Sequence, residues 1–120
     1  MPRTVKKKEF SPEEKILDII KKTLDDGKAD NIVVVDLRGK TSIANEMVVA
    51  SGTSQRHVMA LADQVHMALK KEGFKSVTEG EEKGDWVLID AYDVIVHIFK
   101  PEVREYYSIE KMWSNPKINR

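Results

Sequence analysis

The chain has 120 residues and no net charge, with 20 basic and 20 acidic side chains; 41% of its residues are hydrophobic and 33% are charged. This length and balance predict one folded domain with a hydrophobic core under a charged surface. A neutral chain lacks the positive footprint of an autonomous nucleic-acid binder. The absence of cysteine excludes a disulfide framework, a thiolate zinc site and a cysteine nucleophile.

The sequence shows neither a membrane anchor nor a secretion signal. No window approaches the roughly 18 apolar residues that a spanning helix needs, and no apolar segment follows the basic residues 1–8. We therefore expect a cytoplasmic protein.

Charge is distributed unevenly along the chain. Residues 78–93 contain six acidic side chains and one lysine, whereas residues 1–8 contain four basic side chains. Residues 1–10 have no apolar periodicity, so we predict a basic tail that becomes ordered only when something binds it. The acidic segment would favour a basic partner.

The first half of the chain predicts a helix, two strands and a second helix. Ser11-Pro12-Glu13-Glu14 has the pattern of a capping box, and apolar residues at helical spacing extend the predicted helix over 12–26. The continuous β-branched run in 31–36 is typical of a central strand covered on both faces. Residues 47–50 predict the second strand, and a glycine turn then leads into a helix that ends near Gly73.

The second half predicts more strands and two short helical segments. Residues 75–78, 86–90 and 94–99 read as strands, and the last two form a hairpin around 91–93. Pro101 begins a short helix, and 109–113 suggest a final helical turn. The pattern predicts a single α/β domain over 11–114, a mixed β-sheet flanked by helices, with a polar tail at 115–120.

Two segments allow a chemical and a structural interpretation. The first segment, Ser51-Gly52-Thr53-Ser54, lacks the nucleophile-elbow pattern of serine hydrolases. In the structural interpretation Thr53 or Ser54 caps the next helix. In the chemical interpretation the backbone N–H groups of this turn hold an anion near Arg56 and His57. Asp90 and Asp93 would suit acid–base work or a magnesium ion, but aspartates are also common at tight turns. There is no Asp-x-Asp pair for metal-dependent nucleotidyl transfer.

Histidine and tryptophan positions are less specific. The three histidines lack zinc-binding spacing, so we expect no metal site. His97, on a predicted strand, is either a satisfied histidine at the core edge or part of a binding face. Trp86 is either a core anchor or an interface anchor.

Several segments, in this order and spacing, resemble the ribosomal silencing factor, or Iojap, family. The resemblance covers about residues 12–114. The matching segments are Ser51-Gly52-Thr53-Ser54-Gln55-Arg56-His57-Val58, Glu79-Gly80, Asp85-Trp86-Val87-Leu88-Ile89-Asp90, Asp93-Val94-Ile95-Val96-His97-Ile98-Phe99, Arg104-Glu105-Tyr106-Tyr107 and Ile109-Glu110-Lys111-Met112-Trp113.

The resemblance implies a nucleotidyltransferase-like fold without catalytic carboxylates, and no enzymatic reaction or cofactor. It implies a translational repressor that binds the large ribosomal subunit through ribosomal protein number fourteen and sterically blocks joining of the small subunit. The implied contact lies on the sheet face and hairpin. Apart from the resemblance, the glycine turn makes Arg56 and His57 candidates for a secondary contact. The implied partner-binding residues are Trp86, Ile89, Asp90, Tyr92, Asp93 and His97.

Other interpretations remain open from the sequence. The main alternative is a nucleotide-binding or nucleotidyltransferase-related enzyme that uses the Gly52 turn for phosphate, with Asp90 and Asp93 for magnesium. Lys6, Lys7 and Lys8 would either touch ribosomal RNA phosphates or serve only solubility. A sheet face of this kind would also allow a homodimer when the partner is absent.

Overall fold

The computed structural model describes residues 11–80 and 84–107. The predicted basic tail, the predicted helical turn at 109–113 and the predicted polar C-terminal tail fall outside the described residues. In chain order the elements are α1 (Pro12–Asp26), β1 (Asp30–Asp36), β2 (Glu46–Ser51), α2 (Gln55–Lys71), β3 (Val77–Glu79), β4 (Trp86–Ala91), β5 (Val94–Phe99) and α3 (Pro101–Tyr107).

Five strands form one mixed sheet with the order β1-β2-β5-β4-β3. Strands β2 and β5 run parallel, and the other neighbouring pairs run antiparallel. Helices pack on both faces of this sheet, so the expected α/β domain is confirmed. None of the helices in the described part of the chain is long and apolar enough to cross a membrane.

The first sheet face is covered by α1 and α2. Strand side chains alternate between faces, and the set that points towards these helices is fully apolar in β4 and β5. This main core consists of Ile16, Ile20, Leu24, Val48, Ala50, Val58, Leu61, Ala62, Val65, Leu69, Val87, Ile89, Ala91, Val94, Val96 and Ile98.

The beginning of α1 is fixed by the predicted capping box. Ser11 Oγ accepts a hydrogen bond from the Glu14 N–H at 3.2 Å, and Glu14 Oε1 accepts one from the Ser11 N–H at 2.9 Å. The neighbouring Glu13 accepts from Asn45 Nδ2 at 2.9 Å and forms an ion pair with Arg38. These contacts attach the start of α1 to the connection between β1 and β2.

The second sheet face is smaller and only partly covered by α3. We define it by the strand residues opposite the main core. At the β1–β2 side, Val103 of α3 packs on a second apolar cluster, and Arg104 donates to Ser51 Oγ at 2.9 Å. The residues of this second sheet face are Val33, Val35, Met47, Val49, Ser51, Val77, Glu79, Trp86, Leu88, Asp90, Ile95, His97 and Phe99.

The sequence predictions for β1 and for the hairpin turn need correction. Strand β1 is not a central strand; it is an edge of the sheet, and Val33 and Val34 are 36% and 38% exposed. The hairpin turn is also shorter than predicted, because Ala91 pairs with Val94 and leaves a two-residue turn.

Candidate functional site

The predicted partner-binding residues of β4 do not all lie on one sheet face. Trp86 and Asp90 are an even number of residues apart and both lie on the second sheet face, as does His97 of β5. Ile89 points to the opposite face, where it is 0% exposed in the main core. Ile89 is therefore unavailable to a partner, and the predicted site is corrected at this position.

Two neighbouring rings fix the position of Trp86. Its indole stacks on Phe99 with ring centroids 4.8 Å apart, and the centroid of the His97 imidazole lies 5.8 Å from each of the two other rings. Trp86 Nε1–H donates a hydrogen bond to His97 Nδ1 at 2.9 Å. Phe99 is fully buried and Trp86 half-buried, so the tryptophan has one side in a small core and part of its surface at the boundary.

The hydrogen bond from Trp86 requires an unprotonated Nδ1 on His97, because this nitrogen acts as an acceptor. Burial of the imidazole lowers the pKa of His97 from 6.5 to about 4. His97 is therefore neutral at pH 7, with its proton on Nε2. Since it is only 9% exposed, it supports Trp86 more than it offers surface to a partner.

The other three predicted residues lie close to the β4–β5 turn. Asp90 is exposed on the second sheet face, opposite Ile95 of β5 and Val77 of β3. Tyr92 has a φ of 65° and is 64% exposed. The carbonyl oxygen of Asp93 accepts hydrogen bonds from the N–H groups of residues 45 and 46, which ties the turn to the start of β2.

Sequence reasoning missed three residues of the same surface. Leu88, between Trp86 and Asp90 on the same side of β4, and Ile95 are half-buried, and Glu79 is exposed. The alternation of strand side chains would have identified Leu88. Glu79 depends on the register between β3 and β4, which the sequence does not display.

A small pocket lies within this surface. Its volume is about 210 Å³, and it is lined by Glu79, Gly80, Trp86, Leu88 and His97. Gly80 has a φ of 90°, and a Cβ at this position would lie 2.4 Å from the carbonyl oxygen of Trp86. Glycine is thus required where the chain leaves β3 beside Trp86.

The glycine turn before α2 is occupied by contacts within the chain. Ser54 Oγ accepts from the His57 N–H at 3.1 Å, which confirms serine capping of the helix. The Thr53 N–H donates to His57 Nδ1, and His57 Nε2 lies 2.9 Å from the carbonyl oxygen of Gly27. His57 thereby links the ends of α1 and α2, while Arg56 is exposed.

Three carboxylates, those of Glu13, Asp36 and Glu46, converge on the guanidinium of Arg38 and form ion pairs with it. No group of three or more histidine, cysteine, aspartate or glutamate side chains positioned for a metal ion occurs within residues 11–80 and 84–107. His66 instead contacts Ser76, with Nδ1 2.7 Å from Oγ.

Comparison with known proteins gives a consistent result. Residues 10–119 match the family described as "Ribosomal silencing factor during starvation". A Zymomonas mobilis protein named ribosomal silencing factor RsfS is 46% identical over 105 residues, which are 87% of this chain and 78% of the relative. A crystal structure of a Chromobacterium violaceum protein superposes with a TM-score of 0.81 at 44% identity, covering 83% of this chain and 84% of the other. The mouse protein named mitochondrial assembly of ribosomal large subunit protein 1 is 27% identical over 103 residues, covering 82% of this chain and 45% of that protein.

Proposed function

The chain belongs to the ribosomal silencing factor family, and from this premise we propose that it represses translation by occupying the large ribosomal subunit. In this proposal the second sheet face binds ribosomal protein number fourteen of that subunit and sterically prevents the small subunit from joining. The repressor acts without an enzymatic reaction, in the bacterial cytoplasm. The name of the mouse relative, which refers to the large subunit, supports the choice of subunit.

The observation that carries this proposal is the surface around Trp86. A half-buried tryptophan, held by His97 and Phe99, lies beside the partly exposed Leu88 and the exposed carboxylate of Asp90. Well-packed tryptophans at the centre of a contact commonly supply much of the binding energy. Acidic groups at the rim match a basic ribosomal protein in charge and favour its approach.

Co-sedimentation with separated ribosomal subunits tests this proposal. We expect the purified protein to sediment with large subunits and not with small subunits, and to reduce the fraction of joined ribosomes. Asp90→Lys reverses one exposed charge on the docking surface and should weaken binding about tenfold or more, because it places a cation against a basic partner.

Asp63→Lys is the matched control, because Asp63 is exposed on α2, on the other side of the sheet. This variant should bind as the original protein does. Equal loss in both variants would point to a general charge effect and contradict docking through the second sheet face. Absence of binding by the unmodified protein would reject the ribosomal assignment.

A further inference from the structure

The pocket beside Trp86 combines apolar walls with one carboxylate. Leu88 pairs with Glu79 of β3 on one side and with His97 of β5 on the other, so the three side chains form one row across the second sheet face. Trp86 lies two residues before Leu88 and adds a further apolar wall. The pocket is therefore open to solvent, with apolar walls and a negative charge at the β3 side.

The charge of Glu79 is not compensated within the described part of the chain. Its side chain is exposed, and none of the ion pairs or hydrogen bonds among these residues uses it. Asp90 adds a second exposed carboxylate on the same face, two residues from Leu88. His97 adds no opposing positive charge, because burial keeps its imidazole neutral at pH 7.

The apolar walls and the carboxylate of Glu79 together suit a long basic side chain. The methylene stem of a long basic residue can lie along apolar surface while its charged end reaches a carboxylate. An acidic side chain would be repelled by Glu79, and an aliphatic side chain would gain the apolar contact but no ion pair with the exposed carboxylate. The volume of about 210 Å³ has room for a single side chain.

We propose that this pocket receives a lysine or arginine side chain of the protein that docks on the second sheet face, with its stem against Leu88 and Trp86 and its cation at Glu79. This inference rests on the proposed function, since it names the chemistry by which that partner is recognised. Glu79 is then a specificity-determining residue.

The first test uses a small probe and needs no ribosome. N-acetyl-arginine methylamide is titrated into the ¹⁵N-labelled full-length protein, and the indole Nε1–H signal of Trp86 is followed after assignment with Trp86→Phe. We expect a saturable shift with the arginine probe, a weaker affinity for the norleucine derivative, and no binding of the glutamate derivative. Glu79→Gln should weaken the affinity for the arginine probe about threefold to fivefold, the effect of losing one partly exposed ion pair. An equal affinity for norleucine, or no shift with arginine, overturns the inference.

The second test measures binding to purified large subunits. Glu79→Gln should weaken binding about threefold to fivefold, as expected for one partly exposed ion pair, and Glu79→Lys should weaken it further. Asp63→Asn is the control with the same loss of charge on the opposite side of the molecule, and it should bind normally.

Different results would reject the proposed function and the inference about the pocket. If the unmodified protein does not bind large subunits, the proposed function is rejected. If it binds and Glu79→Gln binds equally well, the docking surface stands and the basic side chain in this pocket is rejected.

Discussion

The neighbours of Trp86 fix the orientation of its indole and thereby the part of the ring that stays exposed. The indole is stacked on Phe99 and donates to His97, so its orientation is fixed before any partner arrives. A fixed side chain loses less conformational entropy on binding than a mobile one, which favours affinity. The sequence alone left open whether Trp86 faces the core or an interface, and the structure places it at the boundary between a small core and solvent.

The neutral state of His97 makes stability depend on pH. The folded protein holds the pKa of His97 at about 4, below its ordinary value of 6.5, so between these values the unfolded chain binds more protons. The contribution is complete above pH 6.5 and is lost as the pH falls towards 4. Its loss amounts to at most about 3 kcal/mol of unfolding free energy.

Urea unfolding of the original protein and of His97→Asn, at several pH values between 6.5 and 4, measures this contribution. Asparagine retains an oxygen acceptor for the Trp86 indole but does not titrate. We expect the variant to lose less stability over this range, and His66→Gln to follow the original protein. The same pH dependence in His97→Asn would contradict the assignment to His97.

The error at Ile89 and the omission of Leu88 have one cause. The predicted site combined Trp86, Ile89 and Asp90, although side chains alternate along a strand and an odd step changes the face. The alternation of side chains along β4 was therefore enough to exclude Ile89 from the site and to include Leu88. The alternation did not suffice for Glu79, because its place beside Leu88 depends on the pairing of two strands that are not adjacent in sequence.

The helices were predictable because their signals are local. The capping box at Ser11 and the apolar spacing of α1 and α2 match the observed helices. Strand order is different, because it depends on contacts distant in sequence, such as the parallel pairing of β2 with β5. The valine run of β1 indicated two covered faces, whereas the order of the sheet leaves this strand at an edge.

The cap of α2 provides a prediction at the scale of an element. Ser54→Ala removes the oxygen that accepts the His57 N–H and should lower the free energy of unfolding by about 1 kcal/mol. Ser42→Ala changes an exposed serine in the connection between β1 and β2 and serves as the control, with little effect expected. Chemical denaturation measures both, and equal stability of Ser54→Ala and the original protein would contradict the capping role.

On the scale of the whole molecule, the two sheet faces differ in how completely helices cover them. The first face joins α1 and α2 in the main core, and its loss would unfold the domain. The second face keeps a smaller cluster under α3 and leaves Asp90, Leu88 and Trp86 at least partly accessible. The net charge of zero conceals an uneven distribution of charge along the chain, because the acidic segment at 78–93 is balanced by basic residues elsewhere.

The basic tail, which we propose to lie outside the folded domain, allows a separate contact with ribosomal RNA. Residues 1–8 carry four basic side chains, and each cation that neutralises a phosphate makes binding more dependent on salt. Deleting residues 1–10 should therefore reduce the slope of log K against log salt concentration, by up to about 3 if all four take part. Large-subunit binding measured over a salt series gives this slope.

Replacing the four basic residues with glutamine preserves the tail length and should reduce the slope equally. An unchanged slope in both variants would reject the RNA contact and leave the second sheet face as the source of affinity.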